Sequence, residues 1–181
     1  EREGTRRGAA GARSDLLMRA PRGCMVPFSL QPVMFSLDGR ARRNVPSLLR
    51  SRLSRGTRDL GESEVGQMQL SEAGAGIDMG CLILHARRDE SMALLDAGRP
   101  VTVEDGMRNR RDVAFAAELI RKGVERLVEL SGSRIVHDAD PLQPILRDVQ
   151  TIATHAVVLR QLNYVPYGRA MLGLPPVFGE A

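Results

Sequence analysis

After residue 60 the chain carries apolar side chains at three- and four-residue spacing, and no β-type alternation of useful length interrupts them. That spacing places the apolar residues along one side of an α-helix, because one turn contains about 3.6 residues. Each such stripe needs a partner that covers it. We therefore expect a mainly α protein in which residues 52–181 form an up-down helical bundle, with a fourth helix or a second subunit completing the core.

The first two of three predicted helices are bounded by glycine. The first runs from about residue 62 to residue 96 and stops at Gly98, because glycine followed by Pro100 readily ends a helix. The second begins after Thr102, a good N-cap, and ends at Gly132. Interior glycines in the first helix predict either close contact with a neighbouring helix or a helix stable only through tertiary packing. They are Gly66, Gly74, Gly76 and Gly80.

The third predicted helix has the clearest start. Asp140 is a suitable N-cap, and Pro141 can occupy the first helical position because its missing N–H would have no partner there. The apolar stripe then continues until it fades near Asn163, before Pro166. We therefore predict one continuous helix from residue 141 to about residue 163.

Residues 1–51 differ from the rest of the chain in charge and in the positions of proline and glycine. Residues 1–60 hold 13 arginines against 5 acidic residues, whereas residues 61–181 hold 13 basic against 17 acidic residues. Prolines and glycines interrupt the first fifty residues, so we expect a basic, poorly ordered arm. A basic arm can bind nucleic acid or an acidic membrane surface. Because no aromatic residues are interleaved with the arginines for base stacking, nucleic acid binding is the weaker interpretation.

The compartment and the completeness of the chain are inferred from simple features. Two cysteines are too few to stabilise a fold of this length through disulfide bonds. No stretch approaches the roughly 18 apolar residues of a membrane span. We expect a cytoplasmic protein with no membrane association. The chain begins with Glu1 rather than methionine, so we also expect a fragment of a longer protein.

His155 is the strongest candidate for chemistry. On the predicted third helix it lies beside the apolar stripe, and Asp148 and Thr151 share its face. Imidazole takes up and releases a proton near neutral pH, so a histidine at the edge of a packed helix suits acid–base work on a ligand. The alternative is a boundary histidine that is hydrogen-bonded to Asp148 or to a loop.

The other candidate residues are less specific. His85 and His137 are expected to be packing or solvated side chains. Arg55 and Arg58 precede the first helix, where guanidinium groups could bind a phosphate, although solvated charges are the simpler interpretation. No set of histidines, cysteines and carboxylates has metal-ligand spacing, and no glycine-rich phosphate loop occurs. We therefore predict that the protein binds no metal.

One segment is similar to a known family. The run from residue 141 to residue 155, PLQPILRDVQTIATH, resembles the closing helix of the two-component flavin-dependent monooxygenases that share the acyl-CoA dehydrogenase fold. These include the 4-hydroxyphenylacetate and dibenzothiophene monooxygenase components. The family pattern is Pro-Leu, an Arg-Asp pair and a histidine seven residues after the aspartate, here Arg147, Asp148 and His155. The segments at residues 58–73, 131–133 and 167–169 are also similar to the family.

The resemblance implies a function and a set of partners. It implies an oxygenase component that uses reduced FMN or FAD from a flavin reductase, together with O₂, to oxygenate a small-molecule substrate. It also implies a homo-oligomer, commonly a tetramer. His155 would line the flavin and substrate pocket as a general base or as a hydrogen-bond donor. Arg55 or Arg58 would neutralise flavin phosphate in a neighbouring subunit, and Arg147 with Asp148 would brace the helix.

The chain also departs from that family. Pro144 stands where family members often carry arginine, and nothing in residues 1–50 resembles the family's N-terminal helical domain or its central β-barrel domain. We expect a truncated member whose activity depends on the missing domains. The alternatives are a catalytically inactive helical module that oligomerises, a fragment of an acyl-CoA dehydrogenase, and a nucleic-acid binder that uses the basic arm.

Overall fold

A computed structural model describes residues 63–132, 135, 137, 140, 142–175 and 177. Within these ranges the chain forms four α-helices and no β-strand. The helices are α1 (Glu64–Asp96), α2 (Val103–Ser131), α3 (Leu142–Ala153) and α4 (Arg160–Met171). The prediction of a mainly α helical bundle is confirmed for this part of the chain. The predicted arm, residues 1–51, and the start of the predicted bundle lie outside the described residues.

The ends of α1 and α2 follow the sequence signals. Thr102 caps α2 by accepting a hydrogen bond from the Asp105 N–H at 3.1 Å, and the Asp105 carboxylate in turn accepts from the Thr102 N–H at 3.3 Å. This reciprocal pair satisfies two backbone donors that a helix start would otherwise leave unpaired. Gly98 and Gly132 follow the two helices with φ of +65° and +66°, a conformation that costs glycine little.

Glycine brings α1 and α2 into close contact. A Cβ atom on Gly80 would lie 2.8 Å from the carbonyl oxygen of Ala116 on α2. On the opposite side of the contact, a Cβ on Gly123 would lie 2.8 Å from the carbonyl oxygen of Ala73 on α1. Neither helix could approach so closely with a larger residue at these two positions. The prediction that glycines of the first helix mark a close helix–helix contact is confirmed at Gly80.

One hydrophobic core joins α1, α2 and α3. It contains the predicted stripe of α2, the face of α1 that meets it, and side chains of α3 and of the segment that follows α3. Its buried members are Ala73, Ile77, Cys81, Leu84, Val113, Ala116, Ala117, Ile120, Val124, Leu127, Leu142, Ile145, Val149 and Val158. α3 and α4 both pack against α2, so α2 is the central helix of the described bundle.

The prediction of one continuous third helix is wrong. α3 ends at Ala153, residues 154–159 form a turn, and α4 begins at Arg160. The hydroxyl of Thr154 donates to the carbonyl of Thr151 at 2.8 Å, and the N–H of His155 donates to the carbonyl of Ile152 at 2.9 Å. These bonds span three residues instead of four, so the helix tightens and stops.

The turn also lets two valines reach the core. Val157 and Val158 are 4% and 5% exposed, a burial that their positions on a continued α3 would not give both of them. Pro166, which we expected to follow the last helix, lies inside α4 and is buried. Its missing N–H weakens an isolated helix, but packing of α4 on α2 stabilises the segment.

No helix among the described residues is both long enough and apolar enough to cross a membrane.

Candidate functional site

His155 lies on the turn between α3 and α4, not on a helix as we predicted. Its side chain is exposed, and its Nδ1 atom accepts a hydrogen bond from the backbone N–H of Val157 at 3.3 Å. The helix break places His155 after the end of α3, the helix that carries Asp148 and Thr151. The hydroxyl of Thr151 instead donates to the carbonyl of Arg147 at 2.8 Å.

The hydrogen bond at Nδ1 determines which ring nitrogen of His155 carries the hydrogen. A neutral imidazole has one N–H donor and one acceptor nitrogen. Because Nδ1 is the acceptor, Nε2 carries the hydrogen of the neutral ring. His155 therefore offers an exposed N–H donor on a short, hydrogen-bonded turn.

The side chain of Asn163 forms hydrogen bonds both with this turn and with α2. Its side chain is 0% exposed, and its Nδ2 atom donates to the carbonyl of Ala156 at 3.2 Å and to that of Leu159 at 2.7 Å. Its Oδ1 atom accepts from Nε of Arg110 on α2 at 2.9 Å. Sequence analysis did not identify Asn163 or Arg110. The available signal was a polar amide in a segment that otherwise continues a helical pattern.

A groove of about 440 Å³ lies between α2 and the turn with the start of α4. Small and branched apolar side chains form much of its wall, and charged groups stand at its edge. The lining residues are Ala114, Ala117, Glu118, Arg121, Ala153, Val158, Leu159, Arg160, Gln161 and Leu162. The turn contributes Val158 and Leu159, with Ala153 just before it, whereas the His155 side chain is not among the lining residues.

The charged edge of the groove is organised around Glu118. Its carboxylate lies 2.8 Å from Nζ of Lys122 and 3.5 Å from Nη1 of Arg160. The hydrogen bond from Lys122, followed by the charges of nearby cations, lowers the pKa of Glu118 in spite of its burial. The guanidinium of Arg160 also stacks over the ring of Tyr164, 5.1 Å from its centroid.

Tyr164 lies next to Arg160 at this edge of the groove. Its hydroxyl oxygen is buried and has no hydrogen-bond partner. Burial, and then the negative charge of Glu118, raise the pKa of the phenol, so Tyr164 stays neutral at physiological pH.

The other candidates that the structure describes do not line this groove. Arg55 and Arg58 lie outside the described residues. His85 is half-buried within α1, and His137 is exposed in the segment before α3. Within the described ranges, no group of three or more histidine, cysteine, aspartate or glutamate side chains is arranged to hold a metal ion.

A family profile matches the chain over residues 39–160. Its description is "Acyl-CoA dehydrogenase, C-terminal domain". The matched range includes α1, α2, α3 and the whole turn that carries His155.

Curated relatives are similar over a comparable range. The flavin-dependent monooxygenase oxygenase subunit HsaA of Rhodococcus jostii is 32% identical over 109 residues, 60% of this chain and 28% of that protein. HsaA of Mycobacterium tuberculosis is 31% identical over 110 residues, 61% of this chain and 28% of that protein. The FADH₂-dependent resorcinol hydroxylase oxygenase component of a Rhizobium species is 27% identical over 131 residues, 70% of this chain and 32% of that protein. The chain thus spans less than a third of the length of these relatives.

Solved structures have the same fold. The 3-HSA hydroxylase of a Rhodococcus species superimposes with a TM-score of 0.73 at 25% identity, covering 88% of this chain and 42% of that one. The HsaA monooxygenase of M. tuberculosis gives 0.71 at 26% identity, covering 88% and 40%. XiaF of a Streptomyces species, solved with FADH₂ and glycerol, gives 0.75 at 19% identity, covering 87% and 41%, which is evidence for the fold alone.

Proposed function

Because the chain belongs to the acyl-CoA dehydrogenase C-terminal domain family, we propose that it forms the flavin- and substrate-facing helical domain of the oxygenase component of a reduced-flavin-dependent monooxygenase. The observation that carries the proposal is the Arg147-Asp148 pair followed by His155, whose imidazole is exposed on a hydrogen-bonded turn. The named relatives are oxygenase components of this class. Oxygenation requires protein segments beyond those described, and the acting form is a cytoplasmic homo-oligomer.

The described residues fit a bound flavin as one side of its pocket. The isoalloxazine ring carries carbonyl and ring-nitrogen acceptors, and His155 offers an exposed Nε2–H donor to such atoms. Arg55 or Arg58 would neutralise the flavin phosphate, in a neighbouring subunit.

Residues of this chain would orient the reactants and place one proton. Bound reduced flavin, delivered by a flavin reductase, supplies the electrons that activate O₂ for transfer of one oxygen atom to a small-molecule substrate. His155 donates a hydrogen bond from Nε2 toward the reacting atoms. Donation is the better supported of its two implied roles, because Nδ1 already accepts from Val157 and Nε2 has no free lone pair. Burial of Val157 and Val158 under the turn excludes water from its inner side.

The first test is an anaerobic titration of the full chain with reduced FMN and with reduced FAD, followed by flavin fluorescence and absorbance. We expect saturable binding that weakens about fivefold in His155→Ala, the effect of losing one hydrogen bond of about 1 kcal/mol. His137→Ala is the matched control, because His137 is also exposed but lies before α3. We expect it to bind as the wild type does.

Each part of the proposal has its own contrary result. Absence of any saturable change with either flavin would count against flavin binding by this chain. Equal affinities of His155→Ala and His137→Ala would remove His155 from the pocket while leaving the flavin proposal in place.

The second candidate function is a catalytically inactive helical module that oligomerises. It is favoured by large apolar side chains that stay exposed on one face of α1. They are Val65, Met68, Met79 and Leu82, which are 57%, 55%, 50% and 59% exposed. An inactive module would assemble equally well with His155→Ala and would bind neither flavin. An acyl-CoA dehydrogenase fragment, the other alternative, would respond to an acyl-CoA thioester rather than to O₂.

A further inference from the structure

The turn that carries His155 depends on one buried amide. We propose that Asn163, itself held by Arg110, is a positioning residue that keeps the imidazole of His155 in its Nε2–H form and directed outward. This inference rests on the proposed role of His155 as a donor in the flavin pocket. It assigns a function to two residues that lie outside the groove lining.

The bonds of Asn163 are complete. A primary amide has two N–H donors and one carbonyl acceptor. The donors go to the carbonyls of Ala156 and Leu159, and the acceptor receives Nε–H of Arg110. Because the side chain is 0% exposed, no water can replace these partners without opening the bundle. Through Asn163 the turn between α3 and α4 is hydrogen-bonded to α2.

One peptide group connects Asn163 to His155. The carbonyl of Ala156 and the N–H of Val157 belong to the same peptide unit, which is planar and rigid. Asn163 binds the carbonyl end of this unit at 3.2 Å, and Nδ1 of His155 binds the N–H end at 3.3 Å. Together with the backbone N–H of Leu159, which donates to the same carbonyl at 3.3 Å, Asn163 fixes the rotation of this plane and so aims its N–H at the imidazole. The tautomer of His155 is therefore set by a residue eight positions later in the chain.

The hydrogen bond from Arg110 helps to fix which side of the Asn163 amide faces the turn. An unrestrained asparagine amide can rotate by half a turn and exchange its oxygen for its nitrogen. The Nε–H of Arg110 requires an acceptor at 2.9 Å, so the oxygen must face α2 and the Nδ2 atom must face the turn. Arg110 and the two carbonyl groups of the turn thus require the same orientation of the amide, in which Asn163 donates to the carbonyl of Ala156.

Asn163→Asp is the most informative substitution. Aspartate keeps the shape of the side chain and still accepts from Arg110, but it has no N–H to donate to Ala156 or Leu159. The full chain is labelled with ¹⁵N-histidine, and the imidazole resonances are recorded without flavin at alkaline pH, where the ring is neutral. The His155 signals are assigned by their loss in His155→Ala. Gln150→Glu is the matched control, because it makes the same amide-to-acid change at an exposed position of α3.

The wild type and Gln150→Glu should show His155 almost wholly as the Nε2–H tautomer. In Asn163→Asp the ratio of the two tautomers should shift several-fold toward that of free imidazole, while the far-ultraviolet circular dichroism stays helical. A purely structural role would lower stability and leave the tautomer unchanged. A folded Asn163→Asp protein with the wild-type tautomer ratio would overturn the proposal.

A second variant decides the case in which Asn163→Asp does not fold. Arg110→Met removes the guanidinium donor and keeps the length of the side chain, so the Asn163 amide loses one of its three hydrogen bonds and is held less firmly. We expect a smaller tautomer shift in the same direction, and an unchanged ratio in this folded variant would also overturn the proposal.

Because these spectra contain no flavin, they are independent of the titration above. A tautomer shift in a chain that binds no flavin would support positioning by Asn163 and contradict only the proposed function. Flavin binding with no tautomer shift would do the reverse.

Discussion

At the scale of single residues, Glu118 links α2 to α4 through an ion pair with Arg160. Its side chain is 15% exposed, and it pairs with Lys122 on its own helix and with Arg160 at the start of α4. The pKa of Glu118 lies below its usual value of 4.5, with the hydrogen bond from Lys122 as the largest cause. A carboxyl group whose pKa is lowered by folding stabilises the folded state wherever it is ionised in both states.

Glu118→Gln should therefore lower stability in a pH-dependent way. Near pH 7 we expect a loss of about 0.5 kcal/mol, because Lys122 is well exposed and solvent screens the pair. The difference from wild type should persist above the usual pKa of a glutamate and disappear as pH falls through the lowered pKa of Glu118. Urea unfolding at several pH values measures it. Glu129→Gln, at a more exposed carboxylate, is the control, and equal pH profiles of the two variants would contradict the prediction.

At the scale of helices, the sequence predicted boundaries well wherever a local signal ended the helix. The cap at Thr102 and the glycines at 98 and 132 lie where expected, because capping and left-handed backbone are properties of a few neighbouring residues. The break after Ala153 was missed because it depends on burial of two valines and on the distant bond between Asn163 and Arg110. His155 stays a predicted site residue, and its surroundings were not predictable without that break.

Alanine substitutions at two glycines, one in each of α1 and α2, are predicted to change stability in opposite directions, because only one of the two positions is crowded by the neighbouring helix. Gly123→Ala should destabilise the protein by about 2 kcal/mol, because the new Cβ would lie 2.6 Å from Ile77 and 2.8 Å from the backbone of Ala73. Gly74→Ala is the matched control in α1. A Cβ there meets nothing within 4 Å, so we expect a gain of up to about 1 kcal/mol from helix propensity alone.

Thermal and urea unfolding followed by circular dichroism compare these two variants. The sign of the change is the decisive quantity, since the two substitutions are chemically identical. Destabilisation by both variants, or by neither, would mean that the close approach of α1 and α2 does not limit residue size.

At the scale of the whole molecule, α1 has one face that the described helices leave uncovered. Residues 65, 68, 79 and 82 share this face, because 14 residues make nearly four helical turns. Exposed apolar groups in such an alignment are typical of an interaction surface. We propose that this face contributes to the interface of the proposed homo-oligomer.

The double variant Met79→Glu with Leu82→Glu tests this assembly. Two carboxylates placed in an apolar interface would be buried without partners, which costs several kcal/mol and should dissociate the oligomer. Their exposure in the single chain, 50% and 59%, predicts that the helices themselves remain folded. Size-exclusion chromatography with light scattering gives the mass, and circular dichroism gives the helix content.

The chain offers a close control in Met171→Glu with Leu172→Glu. These residues have the same chemistry and are 73% and 75% exposed, but they lie at the end of α4 and away from α1. Retention of the wild-type mass in this control and a lower mass in the α1 variant would locate the interface on α1. If the α1 variant keeps the full mass, subunit contacts form elsewhere and the uncovered face of α1 is not the interface.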